Sequence, residues 1–318
     1  ATSLISPTTC HMKRWNSCHS IMNGWTTGQP GNCYGEKIGF RIGRNGFQRI
    51  LLEIHYNNPE RVENSKDASG FRLYYQTAKE GMQDLFTITV GQKLLEIPPG
   101  KSAVEQVGIC PSFCTNRLIN KRVKVTSVLN HMHLLGRSMK VELFRNGVKL
   151  LDLSNDKDFQ YDSPVTHNHN PAIEILPGDE IKTTCVYNTL ESKRYTYFGE
   201  STSDEMCIGI ITMYPKEAVI INRPHCLSML STTYCDGWSE QLIGQCNFAE
   251  FIKFAKNRDN DVMKNCNLDA FCRPECREVL TTLKNHPCLE GQAFTFVTQM
   301  MQLSKDGFEF LARLRSCP

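Results

Sequence analysis

No stretch of this chain approaches the roughly 20 consecutive apolar residues that a membrane-spanning helix needs, so the sequence predicts no helical membrane span. Charge of either sign is barely in excess. Lys and Arg number 36 against 33 Asp and Glu, a net +3, too little for an electrostatic footprint on nucleic acid. There is no N-x-S/T sequon, no His-His dipeptide, no internal repeat and no low-complexity tract. No secretory signal is visible and the first residue is Ala1, so the sequence reads as processed or as a fragment. With 40% hydrophobic and 22% charged residues, an ordinary folded protein is expected rather than a disordered one.

Cysteine, by contrast, is abundant, with 15 in 318 residues. Zinc modules would show short cysteine pairs followed by matching pairs. Here Cys110 and Cys114 stand alone, as do Cys272 and Cys276. A disulfide framework and an oxidising compartment are the better reading: secretion or the lumen of the secretory pathway. The odd count requires a free thiol, an intermolecular bridge or a partner outside these residues.

The first two-thirds of the chain read as β structure. Gln48 to Tyr56 is rich in Ile, Leu and Tyr and ends at a turn signal, Asn57-Asn58-Pro59. Met139–Arg145 and Val148–Leu153 flank Asn146-Gly147, a strong hairpin signal. Ile173–Leu176, Pro177-Gly178-Asp179 and Glu180–Tyr187 read as strand, turn, strand. Short strands at this spacing predict sandwiches, not parallel α/β units. A boundary is expected near Ile97-Pro98-Pro99-Gly100. From about Leu227 the pattern turns helical, over Phe248–Lys256, Arg277–Lys284 and Phe294–Leu314, and seven cysteines fall there.

Chemistry concentrates at Asn130-His131-Met132-His133-Leu134-Leu135-Gly136-Arg137, which continues a strand from Val123. Residues two apart on a strand share a face, so His131 and His133 present two imidazoles side by side, and imidazole is a common transition-metal ligand. Alone, such a pair is more often two unremarkable histidines. Met206, in Ser201-Thr202-Ser203-Asp204-Glu205-Met206-Cys207, offers a soft thioether that suits copper and suits zinc or magnesium poorly. A single Met is more often core filler.

These segments resemble those of the copper type II, ascorbate-dependent monooxygenases. HMHLLGR (131–137) is similar to that family's HTHxxGR, and STSDEMC (201–207) to its S-T-x-x-E-M-C. LEIHYNNP (52–59) resembles L-x-V-H-Y-x-N-P, TTCVYNT (183–189) contains C-x-Y-N-T, and LPGDEI (176–181) follows its P-G-D turn. All five occur in family order across residues 10 to about 226.

The resemblance implies a mainly β fold of two tandem antiparallel, jelly-roll-like sandwiches followed by a cysteine-rich, partly helical tail. The boundaries expected are 1–100, a truncated first copper domain; 101–226, the second; and 227–318, the extension. It implies two coppers in an intact enzyme, with ascorbate as electron donor. The second-domain copper, which would bind O2 and carry the catalytic step, takes His131, His133 and Met206. His55 carries over as the third histidine of the first-domain copper. The family's other two ligands are an adjacent His-His pair upstream of the region matching Cys10, expected here to lie before Ala1; His11 and His19 are poor substitutes. The resemblance further implies Cys185–Cys207 and Cys110–Cys226 bridges, Cys114 bridged to the tail at Cys288, and partners for Cys10 and Cys18 upstream. Cys33 has no counterpart. A second His-x-His pair, His167 and His169, is expected in an exposed loop.

Three functions follow from this reading. The first is hydroxylation of a C–H bond in a small, amine-type substrate with O2; the cysteine-rich tail favours this dopamine β-hydroxylase and DBH-like branch. The second is a secreted structural protein on the same scaffold. The third is a peptidylglycine-type hydroxylase, for which Arg41 in GFRIG (39–43) is the candidate carboxylate clamp. Oligomerisation is left open.

Overall fold

The computed structural model describes residues 20–25, 31–56, 58, 60–93, 95–220, 225–228, 246–268, 272–290, 293–294, 297–298, 301 and 305–317. Cys10, Cys18, His11 and His19 lie outside them.

Short two-residue strands come first: β1 (Ile38–Gly39) pairs in parallel with β2 (Gln83–Asp84). Eleven further strands follow: β3 (Phe86–Gln92), β4 (Glu96–Ile97), β5 (Val104–Cys110), β6 (Val123–His131), β7 (Gly136–Arg145), β8 (Val148–Asp156), β9 (Thr166–Ile175), β10 (Glu180–Tyr187), β11 (Thr196–Tyr197), β12 (Cys207–Tyr214) and β13 (His225–Ser228). β4 and β11 pair with each other. The long strands form two sheets. One runs β5-β10-β7-β8; the other runs β13-β3-β12-β6-β9. Every pair in them is antiparallel except β13–β3.

The mainly β expectation holds, and alternation explains it. In β6, Val123, Val125, Val128 and Asn130 are buried, and from Ser127 onward the intervening residues are partly exposed. Facing side chains from both sheets, including Val90, Val141, Leu143, Leu153, Ile181 and Ile211, make one core. Asn146 and Gly147 take φ +52° and +77°, the positive values that a two-residue hairpin turn demands, and they join β7 to β8. The Pro177-Gly178-Asp179 turn instead carries the chain from one sheet to the other. Asp179 holds it, accepting from Leu176 N (2.7 Å) and from both Nε and Nη2 of Arg145 (2.7 and 2.8 Å).

The sheets close at one corner, where a Cβ on Gly108 would fall 2.2 Å from the backbone of Gly91. Glycine at both positions is therefore a steric requirement. Two disulfides staple the sheets there: Cys110–Cys226 and Cys185–Cys207. Each removes freedom from the unfolded chain, worth about 2–4 kcal/mol.

Four expectations need correction. The turn at 98–100 lies within the sandwich, not between domains, because β3 precedes it and pairs with β12 and β13; Gly100 N and Lys101 N bond to Thr189. Residues 48–56 form no strand. Ile50, Leu52, Ile54 and Tyr56 are 41–68% exposed, and no described strand lies alongside to take up their backbone hydrogen bonds. His167 and His169 sit on strand β9, not in a loop. The Cys114–Cys288 bridge is not made: Cys288 is bonded to Cys246, and Cys114 is disulfide-bonded elsewhere.

The reason for that last difference is that the tail buries its own core. The helices Phe248–Lys256, Asp261–Asn265 and Pro274–Leu283, with the helix Lys305–Leu314, enclose Phe251, Val262, Val297, Met301 and Phe310. Asn247 and Asn260 cap the first two, each side chain accepting from a backbone N–H three residues on. Disulfides Cys246–Cys288, Cys266–Cys276 and Cys272–Cys317 all stay within this unit. Cys33 is free and exposed.

Candidate metal centre

β6 ends at His131, and β7 begins at Gly136. His131 follows Asn130, which points into the sandwich core, so His131 and His133 point to the outer face of the five-stranded sheet. Their ring centroids are 5.2 Å apart at 84°. β12 runs beside β6, with Ile208 opposite His131 and Gly209 opposite Asn130. Carried two residues past the ladder, that register sets Met206 opposite His133, on the same face as both imidazoles. Met206 is 8% exposed.

Side-chain and backbone bonds fix this arrangement. His133 Nδ1 lies 2.9 Å from the carbonyl of Asp204. With a proton on Nδ1 donated there, the lone pair stands on Nε2. Tyr187, fully buried, donates from its hydroxyl to the Met206 carbonyl at 2.7 Å. The Tyr161 ring packs edge-on to His133 at 6.0 Å. The Cys185–Cys207 bridge anchors the residue next to Met206.

Burial, joined by the charges of His133 and His55, pushes His131 down to about 4. Burial lowers His133 as well, opposed by the carbonyls of Asp204 and Ser201. Both imidazoles are thus held in the neutral form that a metal requires.

His55 reaches this centre only through its charge, which acts on both histidines. Its own side chain is 51% exposed, with Nε2 2.8 Å from Glu53 Oε1. Arg41 is committed to Asp84, with Nε 2.9 and 2.7 Å from the two carboxylate oxygens. His167 Nε2 lies 2.6 Å from Asp156 Oδ1, and His169 Nε2 lies 2.9 Å from the Leu153 carbonyl. Cys110, Cys114 and Cys226 also cluster, but all three are disulfide-bonded and offer no thiolate.

Comparison with known proteins gives the same reading of the chain. Residues 4–63 match the N-terminal domain, and residues 82–238 the C-terminal domain, of the copper type II ascorbate-dependent monooxygenases. This chain belongs to that family. It is 30% identical over 236 residues to tyramine beta-hydroxylase of Caenorhabditis briggsae, covering 73% of this chain and 40% of that protein. It is 34% identical over 233 residues to MOXD1 homolog 1 of Drosophila melanogaster, covering 72% and 32%. It is 31% identical over 208 residues to dopamine beta-hydroxylase of Equus caballus, covering 64% and 34%. The chain thus spans two-fifths or less of the length of these relatives. By its description the family uses copper and ascorbate.

Sequence reasoning named both histidines and the methionine but passed over Glu205, Arg137 and Tyr187. The signal for Glu205 was its place immediately before Met206. Nothing local in the sequence marks Tyr187 as a partner of a residue 19 positions away.

Proposed function

We propose that this chain carries the O2-binding half of a copper monooxygenase, with His131, His133 and Met206 as the ligands of one copper. The observation that supports the reading is the register of β12 on β6, with Ile208 opposite His131, which, continued two residues beyond that pair, sets Met206 opposite His133. The donor set fits the metal: a nearly buried thioether is a soft ligand suited to Cu(I), and both rings are held neutral. Copper held there by His131, His133 and Met206 would supply one-electron chemistry with O2: one oxygen atom would enter a substrate C–H bond as a hydroxyl and the other would leave as water, with two electrons and two protons drawn from ascorbate.

The chain's own residues do the positioning. His133 is oriented by the Asp204 carbonyl, and Tyr187 and the Cys185–Cys207 bridge fix the backbone that follows the methionine side chain. Tyr161 shields one edge of the His133 ring. His55 stands as the candidate histidine of the electron-relay copper, with ascorbate as the reductant. These 318 residues contain no His-His dipeptide to complete that site. The relatives hydroxylate amines by their names, which supports a small amine-type substrate. Commitment of Arg41 to Asp84 counts against a peptide-carboxylate clamp. Among the described residues, seven disulfide-bonded cysteines outside the two sheet staples, Cys114 and the six of the tail, fit a secretory compartment.

Copper stoichiometry of the purified chain tests the reading. About one copper, weakened by Met206→Ile, is the expected result. Binding indifferent to that substitution overturns the ligand assignment and leaves a structural protein on this scaffold as the better account.

A further inference from the structure

The His133–Gly136 turn is gripped through its amides on one side and its carbonyls on the other. Glu205, with 0% exposure, accepts from His133 N at 2.8 Å and Met206 N at 3.2 Å through Oε2, and from Leu135 N at 2.6 Å through Oε1. Arg137 Nη1 donates to the Leu134 carbonyl at 2.9 Å and the Gly136 carbonyl at 2.7 Å. Gly136 lets the turn close, since a Cβ there would lie 2.8 Å from Met132 Cβ. A carboxyl group is costly to bury, and one that satisfies three backbone donors repays part of that cost as fixed geometry. Leu or Met would fill the space at 205 without tying any amide.

We infer that Glu205 is a positioning residue that locks the turn bearing His133 to the strand bearing Met206, so that the imidazole and thioether meet a metal as one preformed unit. This rests on the copper reading above for its purpose, but the lock itself exists without metal. The grip is on backbone amides, so it sets where the two side chains start rather than touching either donor atom. Arg137 acts on the same turn from its carbonyl side.

Glu205→Gln is the direct perturbation. Its amide nitrogen replaces one acceptor with a donor, so either Leu135 N or the His133–Met206 pair of amides loses its partner. Copper(I) competition titration is expected to show affinity falling about 10–100-fold, as for other groups that orient a ligand. X-ray absorption of the loaded variant should show a weakened sulfur contribution, while the melting temperature and the Cys185–Cys207 bridge are retained. Met206→Ile, which removes the sulfur outright, calibrates that signal. Unchanged affinity and unchanged sulfur scattering in a folded Glu205→Gln protein would overturn the inference. A second measurement does not depend on the variant folding. In metal-free wild-type protein, amide hydrogen exchange at His133, Leu135 and Met206 should be slow and share one opening rate. Fast exchange at Leu135 beside a protected Met206 would sink the lock. If wild-type protein binds no copper, the ligand assignment fails, and the exchange rates alone decide whether the lock is real.

Discussion

His131 ends β6 and His133 follows two residues on, while His167 and His169 lie at the start of β9, the neighbouring strand of the same sheet. The two pairs share a spacing and differ in parity. His167 sits opposite Val128, a core residue, so its ring turns inward to Asp156, and His169 bonds to the Leu153 carbonyl. Both of those Nε2 atoms are spent on β8, an edge strand of the opposite sheet. His131 is three residues beyond Val128 and faces the other way, beside Met206. One pair thus fastens the sandwich and the other faces outward with a thioether. A His-x-His pattern therefore carries no metal chemistry until the sheet register says which side it is on.

The sharpest way to break this contrast is to truncate one histidine from each pair. His133→Ala is expected to lower copper affinity by about 100-fold or more, and His169→Ala to leave it unchanged within about twofold. Competition titration with a Cu(I) chelator reads both. Equal losses would mean that the two pairs are not distinct.

Stability should show the reverse order. His167→Ala removes the partner of a nearly buried carboxylate that Asn130 also holds at 2.8 Å. It should cost about 1–3 kcal/mol in denaturant unfolding of metal-free protein. His131→Ala removes a ring with no hydrogen bond among the described residues and should cost less. A larger loss at 131 than at 167 would contradict the division of labour.

Overpacking sharpens the contrast from the turn side. Gly136→Ala, forced against Met132, should destabilise by about 1–3 kcal/mol and lower copper affinity as well. Gly147→Ala, which has open space but φ +77°, should cost stability alone, by about 1 kcal/mol.

The smallest effect is on pH dependence. His131 lies at about 4 in the folded protein against 6.5 ordinarily. The unfolded chain therefore takes up more protons, and this stability is present above 6.5 and lost as pH falls toward 4. Burial pushes Glu205 the other way, to about 7 from 4.5, against the pull of its three amide donors and Arg137. Its contribution is present below 4.5 and lost as pH rises toward 7. Between 4.5 and 6.5 the two oppose. Metal-free wild-type stability should change there by less than about 1 kcal/mol, whereas that of Glu205→Gln should climb with pH. Denaturant midpoints across the window decide it.

The β character of the sandwich, the Asn146-Gly147 hairpin and the helical tail were legible because each depends on local pattern: alternation, positive φ, helical spacing. The strand expected at 48–56 failed because alternation supplies a face but not a neighbour to bond with. The tail bridge failed because Cys288 packs in a core of the tail's own, next to Cys246. The turn at 98–100 was visible as a turn, but only pairing showed that β3 before it belongs to the sheet after it.

The sequence by itself determined which donors exist: two imidazoles at strand spacing, one thioether beside a cysteine, and cysteines enough for an oxidising compartment. Only the tertiary structure decided which face each donor occupies and what holds it. Parity becomes meaningful once register is set across strands 70 or more residues apart in the chain, and the carboxyl of Glu205 can satisfy His133 and Leu135 only after that pairing has brought them within reach.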